Sequence, residues 1–113
     1  MSNDTIARLE ADSKRAKRVV EMGESLERLQ TNRDFRQLIL EGYFEKEAIR
    51  LVHIKADPSM QSPEKQASII NQIDAIGALH TYLIVVDLQA EQARKAIEGI
   101  DETIEEIVTE EAA

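Results

Sequence analysis

The residues of this chain that could support catalysis or metal binding are two histidines and several pairs of carboxylates. A histidine and a glutamate three or four residues apart share one face of a helix and can hold a metal ion. Neither His53 nor His80 has a glutamate or a second histidine at that spacing. We therefore predict that both histidines lie at the boundary between core and surface and that the chain binds no metal.

Paired carboxylates at helical spacing could perform acid–base chemistry. The candidate pairs, each surrounded by further acidic residues, are Glu41 with Glu45, Glu98 with Glu102, and Glu102 with Glu106. Such surroundings are typical of a solvated face. The chain has no cysteine, no glycine-rich phosphate loop, and no serine or threonine with a recognisable base partner. We predict a protein that is not an enzyme and uses no cofactor.

A basic cluster reads "SKRAKR" at Ser13–Arg18 and holds four of the 14 basic residues in a chain of formal net charge -8. Lys14, Arg15, Lys17 and Arg18 could bind the phosphates of a nucleic acid, or they could face acidic groups of the protein itself. Phosphate recognition requires a basic face without competing acid. The composition disfavours nucleic acid, because a long acidic run follows Lys95: Glu98, Asp101, Glu102, Glu105, Glu106, Glu110 and Glu111.

The elements that position these groups are helices, because the chain is rich in helix formers and poor in glycine, proline and aromatic residues. The one strong interruption is "ADPSMQSPEK" at 56–65. Ser62 is suited to cap a helix that begins with Pro63, and Glu64 suits its first turn. We predict one domain over 1–113, with a first arm at about 4–55, a loop at 56–62 and a second arm at about 63–111.

The second arm has a heptad spacing typical of a coiled coil. Its predicted inward positions are Ile69, Gln72, Ile76, Leu79, Leu83, Val86, Ala90, Ala93, Ile97, Ile100, Ile104 and Ile107. A helix of ~48 residues is about 70 Å long. The apolar stripe is widened in the first half of this helix by Ile70, Ile73, Ile84 and Leu88. This width predicts that the first half packs against more than one neighbour.

The first arm is less regular and is either one bent helix or two helices. Gly23 lies where two apolar stripes meet, and Thr31–Asp34 resembles a capping box. Segment 35–54 is apolar almost all round, and one partner helix cannot cover every face. We therefore predict self-association through this segment, with contacts made by Phe35, Leu40, Tyr43, Phe44, Leu51 and Val52.

If the arms fold back at 56–62, the basic cluster meets the acidic run. This arrangement places Lys17 near Glu102, Arg18 near Asp101, and Lys14 near Glu105. It also pairs apolar residues: Leu26 with Ala93, Met22 with Ile97, and Val19 with Ile100. The predicted fold is an all-α, long antiparallel helical hairpin with intramolecular charge pairing, which is oligomeric and bent near 23–32. A second bend near Gly42 is left open.

The middle of the chain resembles small proteins of tailed bacteriophages that are encoded among virion and packaging genes. The residues that carry the resemblance are "DFRQLILEGYFEKEAIRLVHIKADPSMQ" at 34–61 and "IINQIDAIGALHTYL" at 69–83. The resemblance implies a helical virion component or assembly factor whose partners are copies of itself or other virion proteins.

Two other functions remain open at this point. One is a DNA-packaging or regulatory module that binds nucleic acid through Lys14–Arg18, and the other is an acidic inhibitor directed at a host protein.

The start of the chain lacks the apolar region of a secretory signal, and the longest apolar run, "YLIVV" at 82–86, is too short to span a bilayer. We expect a protein of the virion or host cytoplasm, neither secreted nor embedded in a membrane.

Overall fold

The computed structural model describes residues Ser2–Ala112, which form helices and no strand. The elements in order are α1 (Ser2–Thr31), α2 (Arg33–Phe35), a π-helix (Arg36–Glu47), α3 (Ala48–Ala56), a 3₁₀ turn (Pro58–Met60) and α4 (Pro63–Ala112). The predicted all-α class is confirmed. Two compact units divide the chain: Met1–Leu26 with Val85–Ala113, and Glu27–Ile84. We call these the terminal unit and the central unit.

The first arm is two helical stretches, interrupted at Asn32. Asn32 has an extended backbone, with φ -72° and ψ 126°, and its side-chain oxygen accepts a 2.9 Å hydrogen bond from the Phe35 N–H. The Arg36 N–H donates to the Asn32 carbonyl over 3.0 Å. Asparagine is a favoured N-cap because its short side chain satisfies a free helical N–H. The capping signal at Thr31–Asp34 therefore marks a new helix, begun by Asn32.

The middle of the segment from Arg33 to Ala56 is wound as a π-helix, over Arg36–Glu47. In a π-helix each N–H bonds five residues back, so the backbone is wider than an α-helix. A Cβ on Gly42 would lie 3.0 Å from the Gln37 carbonyl oxygen, five residues earlier. The sequence left a bend near Gly42 open; in the structure the helical elements follow one another without a gap from Arg33 to Ala56, and the winding changes over Arg36–Glu47.

The loop before α4 is held by short polar side chains. Asp57 accepts hydrogen bonds from the Ser59 N–H at 2.8 Å and the Ser59 hydroxyl at 2.7 Å. The Ser62 hydroxyl accepts from the Lys65 N–H at 3.3 Å, and α4 begins at Pro63. Gln66 reaches back to donate to the Met60 carbonyl over 2.8 Å. The predicted helix start at Ser62–Pro63 is confirmed.

The core of the central unit consists of Leu51, Ile69 and Ile76. Leu51 is 1% exposed, the most deeply buried large side chain of the described residues. Partly buried apolar residues surround this core: Tyr43, Phe44, Ala48, Ile54, Met60 and Ile73. A core this small leaves much of the apolar surface of the unit uncovered.

The terminal unit buries small side chains where α1 meets α4. A Cβ built on Gly23 would lie 2.3 Å from the Ala90 Cβ, and Ala90 is 0% exposed. The sequence predicted that Met22 would point inward toward Ile97, which is wrong, because Met22 is 52% exposed. Gly23 occupies the inward position instead, since only a residue without a side chain fits against Ala90.

The heptad spacing of α4 predicted most of its inward positions. Buried or half-buried residues of that set are Ile69, Ile76, Leu83, Val86, Ala90, Ala93, Ile97, Ile100, Ile104 and Ile107. Gln72 is exposed and Leu79 is 37% exposed. Ile73 is inward next to the Leu51 core in place of Gln72.

Within the described residues one helix, α4, is long and apolar enough to cross a membrane by length and composition. Its most apolar part, around 69–86, also carries Asn71, Gln72, Asp74 and His80. Polar and charged side chains are costly in the hydrocarbon core of a bilayer. The expectation of a chain without a membrane-spanning segment stays an expectation.

Candidate interaction surfaces

The basic cluster lies on α1, and its members have different surroundings. Ser13 is buried at 6% exposure, and Arg15 forms an ion pair with Asp12, one helical turn earlier. Lys14 and Lys17 line an open groove of the terminal unit. The other lining residues of this groove are Ala7, Glu10, Ala11, Ser13, Asp101 and Ile104.

Positive and negative side chains therefore share this groove. Lys14 and Lys17 lie along it with Glu10 from the same helix and Asp101 from α4. Carboxylates beside ammonium groups lower the positive potential that a phosphate would meet. The groove resembles a mixed-charge helix contact more than a phosphate site.

The other residues predicted to pair lie apart from this groove. Arg18 is exposed on α1. Glu102 and Glu105 line a second groove, whose other lining residues are Glu106, Thr109 and Glu110. The structure brings Lys14, Lys17 and Asp101 together, and it places Glu102 and Glu105 among further acids. The predicted pairing of Arg18, Glu102 and Glu105 stays a prediction.

The six predicted contact residues of 35–54 divide by burial. Leu51 was expected at an intermolecular contact, but it lies in the core of the central unit at 1% exposure, so that prediction is wrong. Phe35 and Leu40 are half-buried, and Tyr43 and Phe44 pack against the same core. Val52 is 60% exposed and remains available to a partner.

Sequence reasoning left out other exposed apolar side chains of the central unit. Leu38 is 69% exposed and Ile49 is 57% exposed, while α4 contributes Ile70 at 43% and Ile84 at 54%. The widened stripe of α4 signalled Ile70 and Ile84. Leu38 belongs to the apolar segment 35–54, but a segment that is apolar almost all round does not show which of its side chains face away from the core.

His80 lies beside an apolar cleft. The rings of Phe44 and His80 meet edge to face, with centroids 5.1 Å apart and planes at 88°. Leu40, Phe44, Glu45, Ile76 and Gly77 line the cleft with His80. The imidazole therefore packs on an aromatic ring, although the residue as a whole is exposed. His53 is exposed as well, so neither histidine has the boundary position that the sequence predicted.

Two carboxylates of the central unit have altered acidity. Hydrogen bonds from Arg50, at 2.5 and 2.8 Å, lower the pKa of Glu47 below its ordinary value. Hydrogen bonds from the hydroxyl and N–H of Ser59 lower the pKa of Asp57. In both cases the local hydrogen bonds favour the charged form, as expected for a surface ion pair and for a capping side chain.

Acidic and histidine side chains do not converge on a metal-binding geometry anywhere within Ser2–Ala112. The carboxylate pairs of the sequence are exposed on the surface: Glu41 with Glu45, Glu98 with Glu102, and Glu102 with Glu106. Comparison of the chain with protein-family models, with curated proteins and with solved structures gives no match.

Proposed function

We propose that this protein is a non-enzymatic structural or assembly component that acts through helical protein–protein contacts. The observation that carries the proposal is the exposed apolar surface of the central unit, formed by Leu38, Ile49, Val52, Ile70 and Ile84. Large apolar side chains left exposed together on a protein surface mark interaction sites, and the proposal is that these five side chains belong to such a patch. Complete burial of a fully exposed side chain of this size is worth roughly 1.5–3 kcal/mol, and these side chains, which are 43% to 69% exposed, would gain about half of that from a partner.

The protomer that presents this surface is, in the proposal, an antiparallel helical hairpin with coiled-coil-like packing of its arms. Two observations within the terminal unit support opposite helix directions. Gly23 lies next to Ala90, whereas Lys14, earlier in α1, shares a groove with Asp101, later in α4. Increasing residue numbers on one helix therefore meet decreasing numbers on the other.

The proposed setting is a tailed-phage particle, at the head–tail junction, on the capsid or in a scaffold-like role. This part rests on the resemblance at 34–61 and 69–83. Purified particles, separated from free protein on a density gradient and quantified by mass spectrometry, should contain the protein at a fixed copy number. If the lysate contains the protein but the purified particles do not, the protein is not a virion component and this part of the proposal is wrong.

Insertion of α4 into a membrane is the competing explanation of the exposed apolar surface. When the full chain is mixed with phosphatidylcholine vesicles and centrifuged on a flotation gradient, we expect the protein to stay at the bottom. The result should be the same at low and at high salt. Flotation with the vesicles would replace the assembly function with a membrane function. Asp74 and His80, in the most apolar part of α4, favour the first outcome because both are costly in hydrocarbon.

A further inference from the structure

An open groove of the central unit gathers positive charge where the interruption at Asn32 meets the π-helix. The residues that line it are Thr31, Arg33, Arg36, Gln37, Glu41 and Lys46. We call it the cationic groove. Three of these side chains are cations and one, Glu41, is a carboxylate, which leaves a positive excess in a chain of formal net charge -8.

The winding of the helix brings these charges to one groove. In a π-helix each N–H bonds five residues back, so side chains five residues apart lie on neighbouring turns. Arg36, Glu41 and Lys46 follow one another at this step within Arg36–Glu47. In an α-helix a step of five residues turns by about 140°, which places successive members of the series on different faces. The α-helical spacing assumed for the sequence therefore gave no sign of this groove.

The cations of the groove have no acid in direct contact. Arg33, Arg36 and Lys46 are exposed, and none of the three forms an ion pair with a residue of Ser2–Ala112. The nearby acids that do not line the groove are Asp34, Glu45 and Glu47. Glu47 already has a partner in Arg50. The positive excess is therefore free to meet a partner.

The basic cluster of α1 has a different balance of charge. Lys14 and Lys17 share their groove with two carboxylates, Glu10 and Asp101. Arg15 is paired with an aspartate one turn earlier. Equal numbers of cations and acids leave this second groove without the positive excess that an anionic partner requires. The cationic groove is thus the better site for such a partner.

A matching anionic surface lies on the same chain, at the end of α4. Four exposed carboxylates line a groove of the terminal unit together with Thr109: Glu102, Glu105, Glu106 and Glu110. We call these four the acidic surface. None of them forms an ion pair with a described residue, and the sequence has no basic residue after Lys95. Like charges three and four residues apart on a helix repel one another, so cations from a partner would stabilise this surface.

We propose that the cationic groove receives the acidic surface of a second copy of this chain. Arginine suits such a groove because its planar guanidinium can donate two parallel hydrogen bonds to one carboxylate. The inference rests on the proposed assembly function and names how copies meet.

The proposed contact is heterologous, because it joins two different surfaces. A pair of copies leaves one groove and one acidic surface free, and each can bind a further copy. The series closes into a ring when the rotation between copies allows it, and otherwise continues as a filament.

Sedimentation equilibrium of the full chain tests the contact with two variants. The groove variant carries Arg33→Gln and Arg36→Gln, and the acid variant carries Glu105→Gln and Glu106→Gln. We expect the wild type to self-associate, and we expect the dissociation constant to rise about fivefold or more in each variant alone. A mixture of the two should form a one-to-one dimer, because the acid variant keeps its groove and the groove variant keeps its acidic surface.

Net charge alone predicts a different result. The acid variant is less acidic than the wild type, so a general loss of repulsion would strengthen its association. A matched control carries Arg50→Gln and Arg94→Gln, which removes two cations that already have acidic partners. The control has the same net charge as the groove variant, yet its dissociation constant should stay within about twofold of the wild type. Glutamine is a good helix former, so circular dichroism should show retained helicity in every variant.

Crosslinking locates the contact, because the chain has no cysteine of its own. Gln37 lines the cationic groove, and Thr109 lies within the groove of the acidic surface. An oxidised mixture of Gln37→Cys and Thr109→Cys chains should therefore give mainly the mixed disulfide. The contact is overturned by a monomeric wild type, by an acid variant that associates as well as the wild type, by a mixture that does not recover, or by a predominance of disulfides between identical chains.

DNA is the competing occupant of the cationic groove. Tight wild-type binding in a filter assay that is lost in the groove variant and kept in the control would assign the groove to phosphates instead. A protein that fails the association tests but occurs at fixed copy number in particles keeps the assembly function and loses this contact alone. Absence from particles, with the association intact, would reverse that result.

Discussion

Gly23 of α1 lies against Ala90 of α4 with no room for a side chain, since a Cβ on Gly23 would come within 2.3 Å of the Ala90 Cβ. Ala90 is fully buried and has no flexible end that can move aside. The contact fixes how closely the two helices of the terminal unit approach.

Gly23→Ala should therefore destabilise the protein, although alanine is the better helix former. Overpacking a close contact costs about 1–3 kcal/mol, against a gain in helix propensity of about 1 kcal/mol. Urea unfolding followed by circular dichroism measures the difference. Gly99→Ala, at an open site, should raise stability instead. If Gly23→Ala also raises stability, the close approach of the two helices is wrong. The double variant Gly23→Ala with Ala90→Gly removes the clash and should recover much of the stability that Gly23→Ala loses.

Leu51→Ala should cost about 2–5 kcal/mol of unfolding free energy, because it opens a cavity in the core that Leu51 forms with Ile69 and Ile76. Val52→Ala is the matched control, since Val52 is 60% exposed. In the dissociated protein it should change stability by no more than about 0.5 kcal/mol. Equal costs for the two variants would contradict the assignment of Leu51 to the protomer core.

Asp57 should make stability depend on pH in the acidic range. Its pKa is lowered in the folded protein by the Ser59 hydrogen bonds. The stabilisation is therefore present above the ordinary aspartate pKa of about 4, and it is lost as the pH falls through the lower folded value. Asp57→Asn keeps an acceptor oxygen but does not titrate. The stability difference between wild type and Asp57→Asn should shrink below about pH 4; a difference that grows on acidification would refute this role.

Neutralising Lys14, Arg15, Lys17 and Arg18 together should loosen the terminal unit. The acidic residues after Lys95 would lose their opposing charges. Hydrogen exchange should rise in 1–20 and 98–113, while 35–85 stays protected, and added salt should reduce the difference.

Filter binding of DNA to the same proteins separates charge pairing from phosphate binding. We expect weak binding by the wild type at moderate salt and little change in the neutralised variant. Tight wild-type binding that is lost on neutralisation would assign the cluster to nucleic acid.

The sequence predicted the helices well where the signal lies in neighbouring residues, as in a hydrophobic repeat or a helix cap. The spacing of α4 identified the inward positions from Val86 to Ile107, and Ser62 with Pro63 identified its start. Near Gln72 the prediction failed, because Ile73 is the residue that reaches the Leu51 core. Heptad counting does not show which of two adjacent positions a partner helix covers.

The contact residues were harder to predict. An all-round apolar segment does not reveal which side meets the protomer's own core, so Leu51 was assigned to a partner and Ile49 was left out. The register of α1 on α4 was misjudged because it was counted from a fold-back at 56–62, and this count did not place Gly23 opposite Ala90. Small residues such as Gly23 and Ala90 pack closely only once two helices meet, and they do not stand out in a hydrophobic repeat along the sequence.

The division of the chain into a central and a terminal unit has a consequence for the order of folding. All residues of the central unit come from one continuous stretch, 27–84. The terminal unit joins groups as distant in sequence as Ala7 and Ile104, which line the same groove. Contacts between near residues close quickly, and contacts between distant ones close slowly. During synthesis, residues 27–84 are complete before the ribosome reaches the last acidic turns of α4. The central unit can therefore fold first, whereas α1 can pack in the terminal unit only after the end of α4 has been made.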